Sequence, residues 1–288
     1  MAVPADPTLN AVVEEALRRG GQLNPSSAQI QSAIDHQLQE VKSDLRHFAS
    51  RHPMLKTTAV HSAVQGRSRY PQPSDCDTPI SIQLLDGPDA WRGTAAAGSA
   101  GGVTLASTLD ESSDTLVGKF ALFTNGTGSN QFFQIVGWGN SSKVATPDAN
   151  FTASADTTTT YLIADSHRLL YEESKRYDWD YRVNPGVQST PTRAAMVAET
   201  LWLDYPPNKT YGLLWTYFAD LDRLDESGVL FIKLLREWRS VWVQGVAFYT
   251  MQRYEDERFN VEAAFASAQM EGIAVEASAC GQARFYDV

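Results

Sequence analysis

The chain has 288 residues, 43% of them hydrophobic, which is enough apolar content for one large or two ordinary cores and excludes a disordered protein. Its net charge of −10 argues against a nucleic-acid binder, because affinity for DNA comes largely from Lys and Arg neutralising phosphates. Two cysteines, Cys76 and Cys280, are too few for a disulfide scaffold and lack the close spacing of a zinc site, so they read as incidental thiols.

The N-terminal stretch MAVPADPTLNAVVEEALRRGG carries acids and prolines where a signal peptide has a basic start and an apolar run. No segment approaches the uninterrupted apolar length of a bilayer span, so synthesis and assembly in a cytoplasm are expected. A first helix starts at Asp6-Pro7-Thr8 and closes at Gly20-Gly21, with Leu9, Val12, Val13, Ala16 and Leu17 on one stripe. A second begins at Ser26, with Gln29 completing a capping box. It runs through Ile30, Ala33, Ile34, Leu38, Val41, Leu45 and Phe48 and ends at or before His52, ahead of Pro53. The spacing predicts an antiparallel helical pair.

From Tyr70 the pattern changes to YPQPSDCDTPISIQLLDG, in which Ile80, Ile82 and Leu84 alternate as in a half-buried strand. GTAAAGSAGG then reads as a flexible loop, and residues 103–164 hold four or five short β segments with Lys119 and Lys143 as their only bases. A small β module inserted over residues 93–165 is expected. Within it, GKFALFTNGTGSNQFFQIVG raises the question of a phosphate loop at Gly126-Thr127-Gly128. A phosphate loop needs a helix directly after its glycines, whereas Gln131 to Val136 is rich in aromatic and β-branched residues. The stretch therefore predicts a hairpin whose tip tolerates positive φ.

After Asp165, SHRLLYEESKRYDW carries weak helical signals. Two strand-like runs follow, Met196 to Tyr205 and Tyr211 to Ala219, and Pro206-Pro207-Asn208-Lys209 between them predicts a hairpin, although the second run also fits the start of a helix. Ser227 caps the longest predicted helix, with Leu230, Leu234, Leu235, Trp238, Val241, Trp242, Gly245, Phe248 and Tyr249 on its apolar side. A charged YEDER segment leads into VEAAFASAQMEG and an irregular tail, IAVEASACGQARFYDV. The fold class read from these elements is α+β. A mainly α-helical core over 1–92 and 166–288 carries the inserted all-β module at 93–165, and 273–288 is an extended C-terminal tail.

Few residues carry a chemical signature. His36, His47, His52, His61 and His167 do not form the helical spacing of a metal pair. Asp220, Asp222, Asp225 and Glu226 lack the glycine turn and the distal bidentate Glu of a calcium loop. A glycosidase carboxylate pair can be drawn from many of the 34 acids, which deprives that reading of specificity. No nucleophile elbow or Cys-His signature is present. No catalytic, metal or cofactor residue is therefore assigned. Trp202, Trp215, Trp238 and Trp242 sit in strongly patterned elements, as core aromatics do. Trp91, Tyr177, Trp179 and Tyr181 lie in weakly patterned chain and are the candidate interface aromatics, equally suited to a protein or a glycan.

This order of elements resembles the head-to-tail adaptor, or connector, proteins of tailed bacteriophages. The resemblance rests on the N-terminal helical pair ending in YPQPSDCDTPISIQLLDG, and on QSTPTRAAMVAETLWLDYPPNKTYGLLWTYFADL leading into the long helix VLFIKLLREWRSVWVQGVAFYTMQRYEDER. The insert DTLVGKFALFTNGTGSNQFFQIVGWGNSSKVATPDANFTASADTTTTYLI is similar to small β modules of phage structural proteins, although smaller adaptors lack it. The resemblance implies a non-enzymatic virion protein at the phage neck, assembled as a dodecameric ring on the portal, with DNA passing through its channel unbound. The portal protein, tail nozzle or other tail proteins and further copies of the chain are the implied partners. It also implies a C-terminal tail lying against the portal, where Arg284, Phe285 and Tyr286 combine a cation with aromatic anchors. Two other readings stay open at this point. One is a virion-associated cell-wall hydrolase that would depend on a carboxylate such as Glu199 or Asp204; the other is a binding module whose β insert grips a tail fibre, a decoration protein or a glycan.

Overall fold

A computed structural model describes residues 8–170, 186–226, 228–254 and 258–282. The chain divides into two compact units, one of Met1–Thr57, Ser74–Thr78 and Tyr217–Val288, the other of Thr58–Pro73 and Pro79–Thr216.

The first unit is helical. Helix α1 (Leu9–Arg19) is capped by Thr8, whose hydroxyl accepts from the Ala11 amide, rather than by Asp6. It buries Val12, Val13, Ala16 and Leu17 and closes at Gly20. The capping box at Ser26 forms as the sequence predicts: the Ser26 amide donates to Gln29 Oε1 at 2.8 Å and the Gln29 amide donates to Ser26 Oγ at 3.3 Å. The helix behind it is bent into α2 (Ser27–Asp35) and α3 (Gln37–Ala49), because His36 takes φ −122 and ψ −70. Hydrogen bonds from His36 N to Ser32 O and from Glu40 N to His36 O carry the chain across the bend. The long C-terminal helix is likewise divided, at Trp238, into α5 (Val229–Glu237) and α6 (Arg239–Arg253), following a short helical turn, α4 (Ser113–Leu116), in the other unit.

Helix α6 is the centre of the helical unit, with α1, α3 and α7 (Phe259–Gln282) packed on it. Two glycines show how closely. A Cβ on Gly245 would stand 2.7 Å from Val41 Cγ2 of α3, and one on Gly20 would stand 3.0 Å from Thr250 Cγ2. Trp242 is fully buried, and its indole N–H donates to Leu234 O at 3.1 Å. The irregular tail expected over 273–288 is a helix as far as Gln282.

The second unit is built of antiparallel sheets, and it overturns the expectation of a mainly helical core. The strands, of which β1, β3 and β14 each have one end in the first unit, are β1 (Lys56–Ala63), β2 (Arg69–Pro71), β3 (Cys76–Asp86), β4 (Arg92–Thr94), β5 (Ala97–Ser99), β6 (Gly102–Thr104) and β7 (Phe120–Asn125). They continue as β8 (Phe132–Gly139), β9 (Val144–Pro147), β10 (Thr160–Ala164), β11 (Ser166–Leu169), β12 (Ala194–Val197), β13 (Thr200–Leu203) and β14 (Tyr211–Ala219). A seven-stranded sheet runs β4-β10-β7-β8-β9-β6-β5, a four-stranded one β1-β14-β3-β11, and a three-stranded one β12-β13-β2. The strands within 56–71 and the strand in place of the weak helix at Ser166–Leu169 move parts of the expected helical core into sheets, and the single strand expected from Met196 to Tyr205 holds the reversal and second arm of a β12–β13 hairpin.

The two runs flanking Pro206-Pro207 are strands, but not partners. β13 pairs with β12 and β2, while β14 lies between β1 and β3. The tight reversal instead falls inside the first run, at Ala198 and Glu199, which adopt φ of +47 and +61. Neither residue type announces a turn, since such φ values are ordinarily left to Gly, Asn and Asp.

Residues 92–164 contain the seven-stranded sheet and its own core. Phe123, Phe133 and Phe151 form a triangle of rings with centroids 4.9–5.4 Å apart. Around it lie Trp91, Leu105, Leu116, Ile135, Trp138 and Tyr161, all buried. Edge-to-face aromatic packing of this kind adds about 0.5–1.5 kcal/mol per pair to area burial.

Candidate functional site

The predicted hairpin forms, with Phe120 opposite Gln134 and Leu122 opposite Phe132. Gly126 and Gly128 take φ of +80 and +74, and Asn130 takes +66. A Cβ on Gly126 would lie 2.1 Å from the Thr158 carbonyl oxygen, so glycine is required by space as well as by φ. What faces this tip is a carboxylate. Asp156 accepts the Thr127 hydroxyl at 2.6 Å, the Thr158 hydroxyl at 2.6 Å and the Thr158 amide at 2.8 Å. These hydrogen bonds, led by Thr127 and Thr158, hold its carboxyl down to about 2. A fixed negative charge at the supposed phosphate cradle leaves the loop no anion-binding use.

The Pro-Ser-Asp segment, which carries part of the sequence resemblance, has a definite structural task in the helical unit. Asp75 Oδ1 accepts the Tyr217 hydroxyl at 2.7 Å, and the Asp75 carbonyl accepts the Asp220 amide at 2.7 Å. Burial, and then this carboxylate, push the Tyr217 phenol well above its ordinary value. The Cys76 thiol, buried and beside Asp75 and Asp77, is pushed up to about 12, which removes it as a nucleophile at neutral pH. Arg46 of α3 reaches Asp222 at 3.1 Å, Asp220 at 3.6 Å and Asp77 at 4.0 Å, and Arg223 reaches Asp220 at 3.4 Å. The acidic run that invited a calcium reading is thus tied to two arginines. Its last member, Glu226, binds Lys42 at 2.9 Å.

The remaining candidates resolve in the same way. Asp204 is buried and accepts the Thr192 amide at 2.9 Å, the Tyr205 amide at 3.0 Å and the Thr192 hydroxyl, so its oxygens are spent on a turn. Glu199 stands in the β12–β13 reversal. His52 is buried against Trp238, with ring centroids 5.1 Å apart; its Nδ1 accepts from the Met54 amide and its Nε2 lies 3.4 Å from Glu276. His61 packs 5.9 Å from the Trp215 ring, and the cleft of about 410 Å³ beside it is lined by Thr58, Ala59, Val60, Asn130 and Phe132 without an acid. Among the described residues, no group of three or more His, Cys, Asp or Glu is placed to hold a metal ion.

Of the candidate interface aromatics, Trp91 is only 6% exposed and belongs to the core of the seven-stranded sheet, its indole N–H donating to Glu111 at 2.9 Å. Packing explains it, and it is no surface anchor. Tyr177, Trp179 and Tyr181, and the proposed portal contacts Arg284, Phe285 and Tyr286, lie outside the described residues.

The surface feature missed from sequence is on α7. Val261, Phe265 and Val275 are 58, 53 and 66% exposed there, although Ala266, Met270 and Ile273 of the same helix are buried. The signal was present as two apolar rows at helical spacing, masked because Gly272 read as the end of the helix. Among the described residues no helix is long and apolar enough to cross a membrane. No family model matches the chain, and no curated protein matches it either.

Proposed function

We propose that the chain is a structural, non-enzymatic protein of the phage neck. It forms a ring that docks on the portal, extends the DNA channel and gives the tail its attachment platform. The observation that supports this most directly is the Arg46 cluster. It gathers the Pro-Ser-Asp segment and the acidic turn behind β14, two stretches that carry the resemblance and lie about half the chain apart, onto the helical pair. The saturated state of Asp156, Asp204 and the Asp220 run fits a scaffold, whose polar groups hold segments together. The overall charge of −10 suits a conduit that lets DNA slide without capture.

The test is the native mass of the protein mixed with the portal encoded in the same genome, each component alone serving as control. A stoichiometric ring complex is expected. A chain that stays monomeric and ignores the portal overturns the reading.

A second reading gives the β module a ligand of its own, a fibre or a glycan, and one observation favours it: the module exposes Val117 and Val136, at 42 and 51%, beside a core of its own. Register separates the two readings experimentally. Arg92 and Leu162 are opposite one another in β4 and β10, so residues 93–161 can be excised and the ends rejoined by a short linker. An adaptor so trimmed still docks on its portal, whereas a module binder loses its ligand.

A further inference from the structure

We infer that the outer face of α7 is a docking surface for a helix of a different protein, one whose apolar stripe is bordered by Lys and Arg. The assignment rests on α7 alone and does not depend on the neck reading.

Helix α7 is apolar on two opposite sides. Its inner row, Ala266, Met270 and Ile273, is buried. Its outer row is Val261, Phe265, Ala268, Gly272 and Val275, in steps of four, three, four and three residues. At about 100° per residue, Ala268 stands roughly 160° from both Ala266 and Met270, so the rows lie on opposite faces. A helix apolar on all sides belongs in an interior. This one has a single covered side.

Gly272 points to what the cover is. Glycine in a helix interior is about 1 kcal/mol less favourable than alanine. At Gly245 the close approach of Val41 explains the choice, but a Cβ on Gly272 would meet nothing within 4 Å. Nothing packed in the described chain requires it. A second helix crossing at Ala268 and Gly272 does, because small residues set how closely two helix axes approach.

Charge selects the kind of helix. Helix α7 carries no Lys or Arg; its charged residues are Glu262, Glu271 and Glu276, of which Glu276 also lies 3.4 Å from His52. A second α7 would bring acids to acids around one seam. Elsewhere in the helical unit, Leu23 and Tyr254 are the other large exposed apolar side chains described, and they form no stripe. The helical unit of a second copy therefore supplies no matching face, while a helix with basic borders supplies both the apolar contact and the opposite charge. From Val261 to Val275 the seam is about 21 Å long, or some four turns of partner helix.

The test uses the full chain and two synthetic helical peptides of about three heptads, each with a Leu/Ala seam, one bordered by Lys and the other by Glu. Calorimetric titration is expected to show the Lys peptide binding at least about tenfold more tightly, with its affinity falling as salt is raised. Phe265→Asp and Gly272→Leu should each weaken that binding at least about tenfold without lowering the thermal midpoint of the free chain. Should Phe265→Asp fail to fold, Gly272→Leu decides, since open space surrounds its Cβ. Equal binding of both peptides, or none, overturns the proposal. So does a concentration-dependent dimer of the chain alone that Phe265→Asp abolishes, which would assign the face to a second copy.

Discussion

The β module of residues 92–164 and the helical unit are finished in different ways. In the module, the polar groups at the hairpin tip are answered from close by in the fold, as Asp156 is by Thr127 and Thr158, and the aromatic triangle is enclosed by its own strands. The helical unit joins distant stretches through Arg46 and Lys42 and leaves the outer row of α7 bare. Isolated exposed valines, as at Val117 and Val136, are ordinary on a folded surface, whereas a continuous bare row beside a packed core marks the place where association is to be sought.

The largest loss of stability is expected at the centre of the helical unit. Trp242→Ala removes a fully buried indole and its bond to Leu234, and should destabilise by about 3–5 kcal/mol, read as lost hydrogen-exchange protection along α6. A loss below about 1 kcal/mol would show that α6 is not the organising helix. In the module, Gly126→Ala places a side chain against Thr158 at a positive φ, for an expected cost of about 1–3 kcal/mol seen as faster amide exchange in β7 and β8. Gly272→Ala should act in the opposite sense, raising stability by about 1 kcal/mol because the outer face of α7 is open. Destabilisation there would mean that the face is already packed within the chain.

The smallest effect is one of pH. Asp156 is held at about 2 against an ordinary 3.8, so its folded value is depressed. Its contribution is present above the unfolded value and is lost as pH falls through the folded one. Thr127 and Thr158 amides should therefore exchange faster as pH drops from about 4 toward about 2, beyond the intrinsic trend, and Asp156→Asn should remove that step.

Legibility in the sequence followed locality. The Ser26 capping box, the stripe of α1 and the hairpin at Gly126 were readable because residues within a few positions decide them. Sheet membership was not, since β14 looks the same whether it pairs across the Pro-Pro turn or inserts between β1 and β3. The reversal at Ala198 and Glu199 carries no turn residue, so Met196 to Tyr205 read as one strand instead of the β12–β13 hairpin. Trp91 sat in weakly patterned chain because a short turn, rather than a periodic element, delivers it to the core. The clamp on Asp75 depends on Tyr217 and Asp220, which only tertiary structure brings near.

The placing of β14 between β1 and β3 also fixes an order of events on the ribosome. Strand β1 ends at Ala63 and its neighbour begins at Tyr211. At about 5–20 residues per second, β1 waits roughly 7–30 s for that neighbour to be made. The seven strands between Arg92 and Ala164 pair only with one another, and their ladders can close while the four-stranded sheet is still incomplete. Nascent chains should thus gain a protease-resistant β module first, and β1 is the strand that translation leaves longest without a partner.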